Sequence, residues 1–246
     1  MHQLRRGRLA SVRPLQANEV AVVFARPDSL DDRRRADALG KLPTEDVAHV
    51  RRFRFERDRD IALASRTLQR RALSRHAPVS PELWRFDTTE HGRPEIAAPS
   101  SDLRFNVSNT HGLVACAVTL GREVGIDVEQ HRDDAPLDLV DSHFAPLERT
   151  ALRALPAGDR ARRFLELWTL KEAYIKARGL GLALPLDRFW FDLDGPTPRL
   201  SIAPELEDDA ATWQIELWKP TPTHYAALCV RNTNTPLAID SEWDVV

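Results

Sequence analysis

The stretch "LWTLKEAYIKARGLGL", residues 167–182, governs how the rest of the chain is read. Phe164, Leu167, Trp168 and Ile175 recur at helical spacing and form one apolar stripe, which predicts a helix over about 161–178 laid on a core. Gly179 is placed to end it, because glycine takes the left-handed C-cap conformation without a side-chain penalty. Glu172 lies one turn beyond Trp168 at the edge of the stripe, and Lys176 one turn further. Taken alone this is an ordinary i,i+4 pair, worth about 0.2–0.5 kcal/mol. Of the 35 lysines and arginines in the chain, however, only Lys41, Lys171, Lys176 and Lys219 are lysine. The arginine bias itself reads as genome composition. It makes each retained lysine informative, since a compact ammonium does not substitute for a planar guanidinium fork.

Upstream, "EVGIDVEQ" (123–130) alternates as a strand. Val124, Ile126 and Val128 fall on one face, with Glu123, Gly125, Asp127 and Glu129 on the other, so Asp127 and Glu129 project side by side. The plain reading is a half-exposed strand with a solvated acidic face. If Glu172 faces this strand, three carboxylates converge. Two unit charges about 4 Å apart repel by roughly 4 kcal/mol at an effective dielectric of 20. Such a cluster calls for a cation or for raised pKa values. Oxygen-only donors favour Mg²⁺, which keeps waters and recruits substrate phosphate. Lys171 and Lys176 would then serve phosphate oxygens.

Further out, "VAVVFA" (20–25) reads as a first strand, and "RFERDRDIALASRTLQRRALSRH" (54–76) as a long helix stopped by Pro78. "ELWRFDTTEHGRPEI" supplies a short strand, a turn at His91–Gly92 and an extended tail. Residues 103–131 are expected to form two strands joined around Gly121. In the second half, two helical segments over 136–178 precede four strands, "FWFDL", "RLSIA", "WQIELWKP" and "HYAALCVR". The pattern is α+β: two similar halves related by a pseudo-twofold, each placing helices on a small antiparallel sheet, with the active site between them. The expected division is 1–120 and 121–246, with residues after about 232 a tail.

Composition narrows the classes of function. A net charge of −2 and a pI near 6.5 argue against general polyanion binding, and the basic run at 51–75 is laced with Glu56, Asp58 and Asp60. No run reaches the roughly 18 apolar residues of a membrane helix. "MHQLRRGRLASVRPLQ" lacks the apolar segment of a secretory signal, and Cys116 and Cys229 sit in apolar runs as buried thiols, so a cytoplasmic protein is expected. No phosphate-binding G-x-x-x-x-G-K-[ST] loop occurs.

"GIDVE" at 125–129, followed some forty residues on by "WTLKEAYIK" at 168–176, resembles the 4′-phosphopantetheinyl transferases. The two-half length matches their surfactin-synthetase-activating type. "RRFRFERDRD" (51–60), "HGRP" (91–94), "FNVSNT" (105–110) and "FAPLE" (144–148) appear in the family's order, and the likeness covers about residues 15 to 230. The resemblance implies transfer of the phosphopantetheine arm of coenzyme A to a serine of an apo carrier protein, releasing adenosine 3′,5′-bisphosphate. It implies Mg²⁺ held by Asp127, Glu129 and Glu172, Lys176 on the transferred phosphate, and Lys171 on a neighbouring coenzyme A or pyrophosphate oxygen. Glu172 or a metal-bound water is the expected base, with Glu148 as second candidate. Arg93 and Pro94 match the nucleotide-contacting loop, and Ser108 with Asn109 the contact to the 3′-phosphate. Asn109 departs from the family's histidine, bringing no positive charge, and His111 is placed to compensate. Arg52 and Arg70 are the candidate phosphate ligands of the basic run, where the family's lysine falls on Glu56. Two other readings stand beside this one: a non-catalytic homologue that binds coenzyme A or carrier proteins, and an arginine-rich nucleic-acid-binding module, which the acidic balance disfavours. A two-half chain with its site between the halves is expected to be a monomer.

Overall fold

A computed structural model of the chain describes residues 12–232 and 236–246. Residues 1–11 of the basic N-terminal segment, and residues 233–235, lie outside them. Strand β1 (Glu19–Ala25) leads into helices α1 (Asp32–Lys41), α2 (Thr44–Arg51) and α3 (Glu56–His76), then the hairpin β2 (Arg85–Thr88) and β3 (Pro94–Ala98), then β4 (Leu103–Thr110) and β5 (Leu113–Leu120). The same order recurs in β6 (Val124–Gln130), α4 (Val140–His143), α5 (Pro146–Ala154), α6 (Ala157–Arg178), the hairpin β7 (Phe189–Asp192) and β8 (Arg199–Ile202), then β9 (Trp213–Thr221) and β10 (His224–Arg231). Each half pairs its first, last and next-to-last strands in that spatial order, β1-β5-β4 and β6-β10-β9, antiparallel throughout. The class is α+β, with a repeated half.

Apolar patterning sets the layers. Strands β5 ("LVACAVTL") and β10 ("HYAALCVR") are apolar on both faces because each is the centre of a sheet covered on both sides. One face of the first sheet packs on α3 through Val23, Phe105, Cys116, Leu68 and Leu73. One face of the second packs on α6 through Tyr225, Ala227, Cys229, Leu170 and Ala173. The remaining faces meet each other, with Val20, Val22, Leu113 and Ala115 against Val124, Ile126, Val128 and Leu228. Each valine, leucine, isoleucine or phenylalanine among them, taken fully out of water, contributes about 1.5–3 kcal/mol. Helix, sheet, sheet and helix therefore stack in one sandwich. Gly125 on β6 allows a close approach to α6: a Cβ there would lie 2.0 Å from the Ala173 carbonyl oxygen.

Two expectations are corrected. Residues 103–130 form three strands, not two, because His111–Gly112 makes a tight turn between Thr110 and Leu113, with Gly112 at φ +82°. Nor are the residues after 232 a tail. Strand β11 (Ala238–Asp244) returns to the first half and pairs in parallel with β1, from Glu19–Ala238 to Ala25–Asp244. The acids that make this segment look solvated are matched from α3: Asp244 pairs with Arg71 and Arg75, both at 2.8 Å. Trp243 lies against Phe24, with ring centroids 5.5 Å apart.

Candidate active site

Strand β6 is an edge strand of the second sheet, and β4 is an edge strand of the first. Side chains of β4 satisfy the open edge of β6. Asn106 Oδ1 accepts from Ile126 N at 2.9 Å, and Ser108 Oγ accepts from Val128 N at 3.4 Å. Both side chains are buried, as edge caps must be. Ser108 Oγ also donates to Asp127 Oδ1 at 2.8 Å. From α6, the Lys176 ammonium donates to Asp127 Oδ1 at 2.6 Å and to Ser108 Oγ at 2.9 Å. The other oxygen of Asp127, Oδ2, is buried with no hydrogen-bond partner. Three elements thus converge on one aspartate that is 3% exposed.

Glu129 and Glu172 flank this centre, both half-buried. Burial, then the negative charge of Asp127, pushes the Glu129 carboxyl up to about 7, and Glu172 adds to that push. Burial and Asp127 also raise Glu172, opposed by Lys176 and by His143 of α4. The structure therefore brings Asp127, Glu129, Glu172 and Lys176 into one electrostatic unit. It does not arrange a finished metal cage: among the described residues, no group of three or more His, Cys, Asp or Glu side chains is set to hold an ion. The Lys176 ammonium sits on Asp127 Oδ1, between the strand and the helix that carry these carboxylates. The donor chemistry still fits a hard divalent cation, with all-oxygen ligands, a partnerless buried oxygen, and three carboxylates against one ammonium.

Lys171 is not in this site. It is fully buried, and its three N–H groups are all committed, to Leu186 O at 2.9 Å, Phe189 O at 2.7 Å and Glu148 Oε2 at 2.7 Å. Glu148 in turn accepts from Ala145 N and Phe191 N, both at 2.9 Å. Burial pushes Lys171 down and Glu148 up, each opposed by the charge of the other. The pair joins α5, α6 and β7 and reaches no cleft, which removes Lys171 as a phosphate ligand and Glu148 as a base. Arg70 is likewise internal, 2% exposed, bonded to Asp46 Oδ2 at 2.9 and 2.5 Å and to Trp84 O at 2.6 Å. Ser108 Oγ is engaged at the Asp127 centre. The Arg93 side chain bonds backbone carbonyls of β4, β6 and α6.

On the other face of β4 lies a cleft of about 300 Å³ between α2, α3 and the β3–β4 edge. Pro94 and Asn109 line it, as do His49, Arg66 and Gln69. Burial lowers the His49 pKa, and Arg66 and Arg52 lower it further against the charge of Asp46, which lies 3.6 Å from Arg66. Arg52 itself is exposed, at the end of α2. Sequence reasoning missed Arg66, Gln69 and His143. Arg66 and Gln69 fall in phase with Ile61, Ala62 and Ser65 on one face of α3, a helical stripe that would have separated them from the outward arginines.

The 4′-phosphopantetheinyl transferase superfamily profile matches residues 123–230, and the profile described as 4′-phosphopantetheinyl transferase, N-terminal, matches residues 32–120. The chain is 32% identical over 203 residues to the 4′-phosphopantetheinyl transferase HetI of Nostoc sp., covering 77% of this chain and 85% of that protein. It is 30% identical over 217 residues to the 4′-phosphopantetheinyl transferase Sfp of Bacillus subtilis, covering 87% and 92%. Among solved structures, the holo-[acyl-carrier-protein] synthase of Thermotoga maritima overlaps 46% of this chain and 64% of its own, at 22% identity and a TM-score of 0.38. Identity of this level across nearly the full length of both named relatives shows that the chain belongs to the 4′-phosphopantetheinyl transferase superfamily.

Proposed function

We propose that the protein moves the 4′-phosphopantetheine arm of coenzyme A onto a serine hydroxyl of an apo carrier protein. The observation that carries this reading is the Asp127–Lys176 centre, with Glu129 and Glu172 beside it. It pairs an ammonium suited to phosphate with carboxylates whose pKa values burial and the charge of Asp127 raise, Glu129 to about 7, so that they hold protons more tightly than ordinary acids. The serine oxygen forms a bond to the β-phosphorus of coenzyme A, and the bond from that phosphorus to the bridging oxygen breaks. Adenosine 3′,5′-bisphosphate leaves with the bridging oxygen, and the serine proton passes to Glu172. Lys176 turns from Asp127 to the transferred phosphate, neutralising charge where it develops. Asp127, Glu129 and Glu172 would hold Mg²⁺, which supplies further neutralisation of the diphosphate. The nucleotide end of coenzyme A fits the cleft beside Pro94 and Asn109, where Arg66 and Arg52 supply positive charge. No helix among the described residues is long and apolar enough to cross a membrane, and we place the enzyme in the cytoplasm as a monomer.

Incubation with coenzyme A, MgCl₂ and an apo carrier domain should add one phosphopantetheine to the carrier, read by intact mass. Glu172→Gln should remove that product while leaving the melting temperature within a few degrees. Coenzyme A binding without transfer to any of several carriers would instead support the non-catalytic homologue, and retained transfer by Glu172→Gln would remove Glu172 from its role.

A further inference from the structure

Arg93 follows the β2–β3 turn of the first half, and its backbone is fixed there. Thr89 N donates to Arg93 O at 2.9 Å, and Arg93 N donates to Thr89 Oγ1 at 3.1 Å. Its side chain leaves the hairpin. Nη1 donates to the carbonyls of Lys176 at 2.7 Å and Ala177 at 3.0 Å, in the last turn of α6. Nη2 donates to Val124 O at 3.2 Å on β6 and to Phe105 O at 3.4 Å on β4. A guanidinium has five N–H groups. Four are given to carbonyls, and the fifth, on Nε, is shut away from solvent with no partner. No donor remains for the nucleotide contact that the sequence resemblance implies for this residue.

We propose that Arg93 is a positioning residue for the transfer site, holding the end of α6 that carries Glu172 and Lys176 in register with the strand that carries Asp127. The inference rests on the transfer reading above. Its physics is that of a helix C-terminus. The last carbonyls of α6 have no intrahelical partner, and a cation there also meets the negative end of the helix dipole. Gly179, at φ +67°, closes the helix and returns its N–H to Ile175 O and Lys176 O. A Cβ on Gly179 would stand 3.6 Å from Arg93 Cδ, so the arginine stem packs directly on the cap. The same fork reaches β6 three residues before Asp127. Because Lys176 meets Asp127 at 2.6 Å across the α6–β6 contact, a shift of under an ångström at the helix end changes that pairing. A lysine at 93 offers three donors at one point and cannot span carbonyls from three elements.

The test compares wild type, Arg93→Lys and Arg93→Ala as full-length proteins. Transfer kinetics should show kcat lower by about tenfold or more, with KM for coenzyme A within about threefold. Amide exchange should speed up together at residues 176–179 and 124–127. Guanidinium ion, but not methylammonium, should restore kcat to Arg93→Ala. A large rise in KM with kcat unchanged would make Arg93 a ligand contact and overturn the proposal. So would wild-type kinetics in both variants, or exchange changes confined to the hairpin. Should Arg93→Ala fail to fold, Arg93→Lys carries the kinetic and exchange tests. Should wild type transfer to no carrier, the transfer reading falls, while the exchange measurement still decides whether Arg93 couples α6 to β6.

Discussion

Lys171 and Lys176 stand on one helix, yet the fold sends their ammonium groups to opposite duties. Lys176 meets Asp127 in the site, whereas Lys171 fills a dry hole between Glu148 and two carbonyls. Scarcity of lysine made both conspicuous in the sequence. What the sequence withheld was the partner: Glu148 lies on a different helix, and no local spacing announces a buried pair across 23 positions. The same holds for Arg70, whose partner Asp46 sits on α2. In both cases a side chain read as a ligand contact proved to be internal. Lys171→Met should therefore destabilise the protein by about 3–5 kcal/mol, since it leaves Glu148 buried and unpaired. Lys171→Met with Glu148→Gln should recover part of that loss, and Lys171→Arg should not, because a larger planar group overfills the hole. Urea unfolding of the four proteins checks this. Equal stability of single and double variants would show that the pair is not coupled.

At the scale of elements, the α6–β6 contact sets the site, and much of it was legible. The stripe of α6, the Gly179 cap and the alternation of β6 follow from local chemistry, and each is found where its residues predict. The extra strand in 103–130 was missed although the polar stretch "SNTHG" (108–112), ending in glycine just before the apolar "LVACAV", carries a turn signal. Strand β11 was missed because its partners lie more than 200 residues away on β1. Gly125 is the residue on which the contact turns: any side chain there meets the α6 backbone, with Ala173 O at 2.0 Å and Ala177 N at 2.3 Å from a Cβ. Gly125→Ala should force strand and helix apart and destabilise the fold by about 1–3 kcal/mol. Under the proposed transfer reaction it should depress turnover more than coenzyme A affinity, because Asp127 and Lys176 face each other across the widened gap. Denaturant midpoints and steady-state kinetics of the variant separate the two effects, and unchanged stability would mean that the close approach is relieved elsewhere at little cost.

Over the whole molecule, the repeat of strand, helices, hairpin and strands makes two sheets whose apolar backs meet, and the acidic centre forms where β4 of one half borders β6 of the other. Sequence order disclosed the repeat, but not which edges abut, since that depends on the packing of both sheets at once. Burying carboxylates at such a seam links the fold to protons and to cations. The Glu129 carboxyl moves from an ordinary value of 4.5 to about 7 in the folded protein, and Glu172 moves in the same direction. A raised acid favours the folded state when protonated, so its stabilisation is complete below about 4.5 and is lost as pH rises through about 7. The protein free of divalent ions should therefore lose stability between these values. Glu129→Gln removes the charge and should raise the melting temperature at pH 8 by a few degrees, corresponding to about 1–2 kcal/mol after allowing for partial exposure. Magnesium competes with the proton for the same oxygens. It should raise the wild-type melting temperature at pH 8 more than at pH 5.5, and should do so weakly in Glu129→Gln. Calorimetry with and without MgCl₂ at the two pH values reads both effects. A magnesium shift of equal size at pH 5.5 and 8 would place the ion away from Glu129, and a flat metal-free profile would mean that the carboxylates at the seam are relaxed by water and not by protons.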